Sequence, residues 1–357
     1  MTGKAQTGTR QLLRRCWLTL TKWRSLGVLC LLTLAVSLIV NACSLAPQQL
    51  APLRVGIVSW AGYDIALYAQ EAGLFKKHGL DVQLVRFENQ QDSTRAMLRG
   101  NLDANFASLW DVMQSDSGND KPAVVIVTNI SHGADGIVAQ PAIKSVANLR
   151  GKTVGAKLGT VNHQILLEAL NLHQIKPEEV KIEDISNETA VDLMQQGLLD
   201  AAVNWQPLLG ETAQAIKGNI IFTTQEVDSL VIDTLVSRST ILRRKKAELK
   251  QFIMAWFDIM SAVETQPNQV FQKVAQNLGQ KGEAFAKDYA GLKKGDIAMQ
   301  QKMFLSGRLP EAIAQMAELL KSDPRAGRMP RQDVEISTEI VTTAINEWKF
   351  DEIPASP

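Results

Sequence analysis

The same order of secondary-structure signals occurs twice in this chain, about a hundred residues apart. The strand-like run RVGIVSW begins the first copy at 54–60, and KTVGAKLGT begins the second copy at 152–160. A helical segment, another strand and another helix follow in both copies, and that last helix ends at a glycine, Gly100 or Gly197. Strands that alternate with helices in this way are typical of parallel-type sheets with helices on their faces. The repeat therefore predicts two α/β lobes of equal build.

Extended segments connect the two predicted lobes, and the carboxy-terminal part of the chain is helical in pattern. The runs VVIVTN and GIVAQ lead out of the first lobe and LVIDTLVSR leads back, which predicts a two-strand hinge. Beyond Leu242 apolar residues recur at helical spacing, and we expect these helices to pack on the first lobe. We predict two mixed, parallel-type sheets flanked by helices, with lobe 1 formed by residues 53–139 plus 236–357 and lobe 2 by residues 140–235.

The amino-terminal segment has the pattern of an export signal. Basic residues precede an apolar run at 27–40, which is shorter than the roughly 20 residues that a membrane-spanning helix needs. The run ends in VNAC, which resembles the bacterial lipobox. We therefore predict a lipoprotein signal peptide at 1–42, lipidation of Cys43, and a tether at 43–52, which would place the protein on the periplasmic side of the bacterial cell membrane. An ordinary signal or an uncleaved anchor is the alternative.

The residue types present argue against several classes of function. All three cysteines lie at or before Cys43, so the predicted mature body lacks a thiol for a disulfide, a metal or a nucleophile. No histidine pair has metal-ligand spacing, and the chain has neither a phosphate-binding glycine loop nor a G-x-S-x-G turn. Acidic residues outnumber basic ones after Cys43, unlike a nucleic-acid-binding surface. We therefore predict no catalytic residue, metal, cofactor or nucleic-acid partner.

Several segments, in order and at the expected spacing, resemble the solute-binding proteins of ABC transporters for sulfonate, nitrate and taurine, a group that includes binders of thiamine-pyrimidine precursors. The resemblance covers about residues 53–265. The segments that carry it are VSWAGYDIALYAQEAGLFKKHGLDVQLVRF, RGNLDANFAS, SHGADGIVA, LRGKTVGAKLGTVNH, GLLDAAVNWQP and MAWFDIM.

This resemblance implies a bilobed periplasmic-binding-protein fold of type II that closes on a small polar solute. It implies a sulfonate, taurine or nitrate-like ligand, an ABC permease as partner and, through the permease, an ATPase. We expect a monomer that does no covalent chemistry.

The candidate ligand site lies in the loops after the carboxyl ends of the predicted strands, where ligands bind in open α/β sheets. Aromatic residues there are typical walls of a small-molecule pocket, and helix starts offer backbone N–H groups that suit an anion. The candidate ligand-binding residues are Trp60, Gly62, Tyr63, Ser108, Trp110, Asp111, Ser131, Gly133, Asp135, Gly159, Thr160, Asn162, His163, Trp205 and Asp233.

The charges at this candidate site leave the class of ligand open. Asp111, Asp135 and Asp233 are the carboxylates nearest the predicted cleft, and Lys157 is the basic residue in its loops. Hydroxyl and backbone donors with little basic charge suit a sulfonate, whereas carboxylates beside tryptophan rings suit a cation or an amine. A taurine-like zwitterion would use both, and nitrate-like anions, urea-type amides and thiamine-pyrimidine precursors also remain candidates.

Two other functions fit the same predicted fold. An exported sensor or scaffold would bind a solute in the same cleft and signal to a membrane protein. The family also includes a thiamine-pyrimidine synthase, but that enzyme relies on histidine and cysteine residues that the predicted mature chain lacks. Neighbouring genes for a permease or for a sensor kinase would separate uptake from sensing.

Overall fold

The computed structural model describes residues 52–115, 120–326 and 330–349. The predicted signal peptide and Cys43 lie outside these residues. Among the helices in the three described ranges, none combines the length and the apolar character needed to cross a bilayer.

Two separate β-sheets form the framework of the described chain. Its strands are β1 (Leu53–Ile57), β2 (Val82–Arg86), β3 (Ala104–Ser108), β4 (Pro122–Ser131), β5 (Asp135–Ala139), β6 (Thr153–Gly155), β7 (Lys181–Glu183), β8 (Ala201–Trp205), β9 (Asn219–Thr223), β10 (Ile232–Arg238), β11 (Leu292–Lys294) and β12 (Glu335–Ile336). The first sheet has seven strands in the order β11-β4-β10-β3-β1-β2, with β12 beside β4, and the second has five in the order β7-β6-β8-β5-β9. Both contain parallel and antiparallel pairs, as predicted.

Helices flank the sheets. They are α1 (Ala61–Asp64), α2 (Ala66–Glu71), α3 (Leu74–Lys77), α4 (Gln90–Leu98), α5 (Leu109–Met113), α6 (Val161–Leu172), α7 (Asn187–Gln195), α8 (Leu208–Ala215), α9 (Ser239–Arg244), α10 (Lys246–Thr265), α11 (Pro267–Asn277), α12 (Gly282–Tyr289), α13 (Ile297–Gln300), α14 (Arg308–Lys321) and α15 (Thr338–Glu347). Helix α10 packs against α2, α3, α15 and β4, so this carboxy-terminal helix lies on the first sheet. Helix α14 also contacts α6, which belongs to the second sheet's lobe.

Each sheet has an apolar core of its own. Phe106, Phe252 and Trp256 are fully buried in the first core, and their rings lie against one another. Val154 and Val203 are fully buried in the second. The molecule therefore has two lobes, the first built on the seven-stranded sheet and the second on the five-stranded sheet.

The repeat seen in the sequence is also a repeat of contacts. In the first lobe the carboxylate of Asp103 accepts the backbone N–H of Arg54 at 2.9 Å. In the second lobe the carboxylate of Asp200 accepts the backbone N–H of Thr153, also at 2.9 Å. Both aspartates precede the strand that pairs in parallel with the strand that begins the repeat, β1 or β6. In both lobes, therefore, an aspartate-to-backbone hydrogen bond holds the start of that strand pair.

The boundaries between the lobes differ from the prediction. Strand β5 pairs with β8 and β9, so residues 135–139 belong to the second sheet rather than to lobe 1. Strand β10 joins the first sheet at Ile232, earlier than the predicted return at 236. The predicted boundaries at 139/140 and 235/236 were therefore both too late, because strand-like sequence shows that a segment is extended but not which sheet it joins.

Candidate ligand-binding cleft

Three neighbouring strands of the first sheet place polar side chains side by side at one end of the sheet. Asp233, near the start of β10, lies opposite Ser108 on β3 and opposite Asn129 on β4. Ser108 is the last residue of β3, and Asn129 is near the end of β4. All three side chains are buried. This row is the floor of the candidate site on the first lobe.

The Asp233 carboxylate is held by donors from the loop that follows β1. Trp60 Nε1 donates to one carboxylate oxygen and the Tyr63 hydroxyl donates to the other, each at 2.7 Å. The Asn129 amide also donates to this carboxylate. Asp64 steadies the loop, because it accepts the backbone N–H of Trp60 at 3.1 Å. Its other oxygen pairs with a half-exposed arginine on β2.

Asp111 lies beside this row at the start of α5. The Ser108 hydroxyl donates to Asp111 at 2.6 Å, and the same hydroxyl oxygen accepts the backbone N–H of Asp111 and so caps the helix. Burial raises the pKa of Asp111 to about 7, and the nearby Asp233 charge raises it further against the lowering effect of the Ser108 hydrogen bond.

The second lobe contributes Asp135 and Trp205, which are directly opposite each other on β5 and β8. The ring of Trp205 meets the ring of Trp60 from the first lobe edge to face, with centroids 6.4 Å apart and planes at 78°. Burial raises the pKa of Asp135 to about 7, and Asp233 adds repulsion while a hydrogen bond from Ser131 lowers it. The cleft is therefore lined from both lobes.

Burial raises the pKa values of both Asp233 and Tyr63. Burial raises the pKa of Asp233 to about 6, although hydrogen bonds from Tyr63, Trp60 and Asn129 oppose the shift. Burial also raises the pKa of the Tyr63 hydroxyl, and the charges of Asp233, Asp111 and Asp135 add to that shift. Tyr63 therefore lies within electrostatic range of all three carboxylates.

Two hydroxyl groups form hydrogen bonds at the connection between the lobes, beside the cleft. The Ser131 and Thr224 hydroxyls share a hydrogen bond of 2.7 Å, and the backbone N–H of Gly133 donates to the Thr224 hydroxyl at 2.9 Å. Gly133 has φ of +107°, a conformation that favours glycine. Ser131 and Gly133 thus lie where the chain passes from β4 to β5, beside Asp135.

Gly62 lies in α1 against Asn129. A Cβ atom at Gly62 would come within 2.3 Å of the Asn129 amide nitrogen and 2.8 Å of Trp60 Nε1. The glycine therefore permits the close approach of α1 to the row of polar side chains. Gly62 therefore lies beside Asn129 and Trp60, and the role that the structure gives it is steric.

Other candidate residues lie in different surroundings. Trp110 is fully buried in the apolar core of the first lobe. Asn162 is buried inside the second lobe, where its amide donates to the Asn187 side chain at 2.7 Å and to the Val203 carbonyl at 3.2 Å. Neither side chain is joined to the carboxylates by a hydrogen bond among the residues that the structure describes.

His163 has a partner that the sequence did not indicate. It is fully buried, and its Nε2 lies 3.1 Å from a carboxylate oxygen of Asp323, just after α14. Burial lowers the pKa of His163, and Asp323 opposes the shift. The structure therefore joins His163 to the carboxy-terminal segment rather than to the carboxylate group.

The loop before α6 caps that helix. Thr160 accepts the backbone N–H of Asn162 and is the N-cap of α6. Gly159 has φ of +71° in the turn before it. Lys157, the basic residue in these loops, forms an ion pair with Asp184 at 2.9 Å.

Asn129 and Thr224 are site residues that sequence reasoning missed. Asn129 ends the run VVIVTN, so a polar residue at the carboxyl end of a buried strand was the available signal. No comparable signal marked Thr224, because its role depends on the return of the chain after β9.

Solved structures show the same architecture. The periplasmic aliphatic sulphonate-binding protein of Escherichia coli superposes with a TM-score of 0.66 at 17% identity, over 81% of this chain and 98% of that one. A desulfurization enzyme superposes with a TM-score of 0.59 at 15% identity, over 83% and 99% of the two chains. At these identities the likeness shows the fold alone. The two-lobed α/β structure is therefore the periplasmic-binding-protein fold that the sequence predicted.

The family follows from a sequence comparison. The family model described as NMT1/THI5 like matches residues 63–269, more than half of the chain. The chain belongs to the NMT1/THI5-like family.

Curated relatives are binding proteins by description. A candidate binding protein of Brucella abortus (strain 2308) is 28% identical over 214 residues, which cover 59% of this chain and 66% of that protein. The aligned part is thus just under two thirds of that relative's length. The taurine-binding periplasmic protein of Escherichia coli (strain K12) is 22% identical over 292 residues, or 79% of this chain and 89% of that protein.

Proposed function

We propose that this protein is the solute-binding component of an ABC importer, which captures a small polar solute between its lobes and delivers it to a permease served by an ATPase. The observation that carries the proposal is the cleft itself. Trp60 and Trp205 meet across it, and buried carboxylates reach it from both lobes. Family membership and the described relatives support the same function.

The two crossings between the sheets supply the mechanism. The chain passes from β4 to β5 and returns from β9 to β10, so the lobes are joined by two extended segments that act as a hinge. A solute that touches Trp60 on one lobe and Trp205 on the other binds the closed form better than the open form. Only such a difference in affinity shifts the population toward closure. The closed form then docks on the permease.

We infer that the cleft binds its solute without transforming it. In the described ranges, no histidine forms a hydrogen bond or ion pair with Asp111, Asp135 or Asp233, and cysteine is absent. The carboxylates accept hydrogen bonds from a serine, an indole, a phenol and an amide. Asp111 and Asp135, each with a pKa of about 7, can exchange a proton near neutral pH, but no histidine or thiol of the described ranges is paired with them as a second catalytic group.

A thermal-shift screen of the full-length chain, purified in detergent, tests the proposal. The panel holds sulfonates, taurine, nitrate, amides and amines. A solute present at a hundred times its dissociation constant stabilises the folded state by about 2.7 kcal/mol. We expect Trp205→Ala to remove most of the shift, and the control Leu172→Ala, at an exposed position of α6, to keep it. Full ligand stabilisation in the Trp205 variant would contradict this placement of the site.

Attachment to the membrane through Cys43 is a further part of the proposal. A lipid on this residue would hold the receptor at the periplasmic face of the cell membrane, next to the permease. Cells fed radiolabelled palmitate should incorporate label into the wild-type chain and none into Cys43→Ser. Equal labelling of the two proteins would rule out this anchor.

A further inference from the structure

The carboxylates of the cleft have no cationic partner among the residues that the structure describes. Asp135 on β5 and Asp233 on β10 are buried, and Asp111 on α5 is partly buried. No lysine, arginine or histidine of the described ranges forms an ion pair with any of them. Buried charges are normally paired, because desolvation of a lone ion is costly. Among the described residues, these carboxylates therefore have no positive partner.

Two further buried atoms independently point to a missing donor. Asn129 is fully buried, and its side-chain oxygen has no hydrogen-bond partner, although its amide donates to Asp233. One carboxylate oxygen of Asp135 is also buried without a partner. Two donors of this region, Trp60 Nε1 and the Tyr63 hydroxyl, are already used on Asp233. These two oxygens are acceptors without a donor, and buried acceptors are normally satisfied.

The aromatic walls suit the same kind of ligand. The indole rings of Trp60 and Trp205 are only half-buried and come from opposite lobes. An indole face attracts a cation through its quadrupole, more strongly when the cation is desolvated. The described residues contain no group of three or more histidine, cysteine, aspartate or glutamate side chains arranged to hold a metal ion. An organic cation therefore fits the geometry better than a metal ion.

We propose that the cleft recognises a solute through a protonated amine or guanidine group, whose N–H donors reach Asp135, Asp111 and Asn129 between the two tryptophan rings. This inference rests on the proposed function as a solute receptor. A sulfonate or nitrate without an amine would meet three carboxylates and no cation of the described ranges, so we expect it not to bind at this position. An amino-sulfonate is accepted through its amine.

Matched solutes separate the amine from the anion. Binding to the full-length chain in detergent is measured by calorimetry and thermal shift at pH 8 for taurine against ethanesulfonate, benzylamine against benzenesulfonate, and agmatine against nitrate. We expect at least one amine or guanidine to bind and its amine-free partner not to bind. Equal or tighter binding of an amine-free anion overturns the inference but leaves the receptor function standing. Binding of no solute in the panel overturns the inference and removes support from the receptor function as well.

Carboxylate variants test which side chains recognise the amine. Loss of one member of a buried charge pair weakens binding steeply, so Asp135→Asn should lower the affinity for the best amine by about 30-fold or more. The affinity of Asp111→Asn, on the other lobe, is measured for the same amine. Circular dichroism checks that both variants are folded. The control is Glu71→Gln, an exposed residue of α2. Unchanged affinity in both folded aspartate variants would overturn the inference.

Discussion

At the scale of single residues, the cleft contains a carboxyl group that lowers the stability of the empty protein and is available to bind a ligand. Asp135 is buried opposite Trp205, its pKa is raised to about 7, and one of its oxygens has no partner. Such a group destabilises the empty protein, and it stabilises the complex once a ligand donates a hydrogen bond to it. Binding sites often carry this conflict between stability and function.

Asp135→Asn should therefore stabilise the ligand-free protein at pH 8. The carboxyl titrates near 3.9 in the unfolded chain and at about 7 in the folded one, so the folded state binds more protons between these values. Its contribution to stability is complete below pH 4 and is lost as the pH rises through 7. The neutral amide avoids that loss, and we expect a gain of about 1–3 kcal/mol at pH 8.

Urea unfolding of the full-length protein without added solute, at pH 5 and pH 8, measures this difference. The advantage of the variant over the wild type should be larger at pH 8 than at pH 5. A variant that is less stable than the wild type at pH 8 would show that Asp135 is already satisfied in the empty cleft.

At the scale of elements, β1 and β6, the strands that begin the two repeats, each contain a glycine that permits close packing of neighbouring side chains. A Cβ atom at Gly56 would lie 2.4 Å from the Ser93 hydroxyl oxygen and 2.7 Å from the side chain of Leu102. The matching Gly155 would meet Leu199 at 2.9 Å. The repeat of V-G in the sequence therefore corresponds to a repeat in helix-on-strand packing.

Gly56→Ala should destabilise the protein by about 1–3 kcal/mol, because the new methyl group overpacks the contact between β1 and α4. Gly155→Ala should cost less, since its nearest neighbour is the flexible end of a leucine. Thermal midpoints of the two variants, with the exposed Leu198→Ala as control, give the comparison. A larger loss for Gly155→Ala would reverse the order that these distances predict.

At the scale of the whole molecule, the carboxy-terminal segment touches the second lobe although most of it packs on the first. Asp323 pairs with His163, and Arg325 donates to the carbonyl of Pro177 at 3.1 Å. A groove of about 580 Å³ remains between α6 and α14, lined by residues such as Glu168 and Arg308. The lobes are thus joined by the two crossings and, in this conformation, by a third contact.

A solute that binds both lobes should shorten the mean distance between them and narrow the distribution of distances. Spin labels at Lys76→Cys in the first lobe and Glu188→Cys in the second report this distance by double electron–electron resonance. Both positions are exposed. The background replaces the native Cys16, Cys30 and Cys43 by serine, which leaves no other thiol in the chain. The solute is the one with the largest thermal shift, and an unchanged distance distribution would contradict closure as the mechanism.

The sequence by itself determined the two-lobed α/β architecture, because a repeated order of strands, helices and glycine stops is a local pattern. It also named Trp60, Asp111, Asp135, Trp205 and Asp233 as candidate site residues, and these residues lie near one another in the structure. Asp135 and Asp233, however, lie at or near the starts of β5 and β10 rather than after the carboxyl end of a strand. The sequence could not set the lobe boundaries, since an extended segment does not reveal the sheet that it joins.

Only the tertiary structure decided which side chains meet. Trp60 and Asp233 are 173 positions apart in the chain, and His163 and Asp323 are 160 apart. Partners at such separation depend on how the two sheets and the carboxy-terminal helices come together, and no local periodicity records that arrangement. The charge of the cleft also depends on the tertiary structure, because three aspartates that are dispersed in the sequence come near one another only in the fold, where none of them pairs with a cation of the described residues.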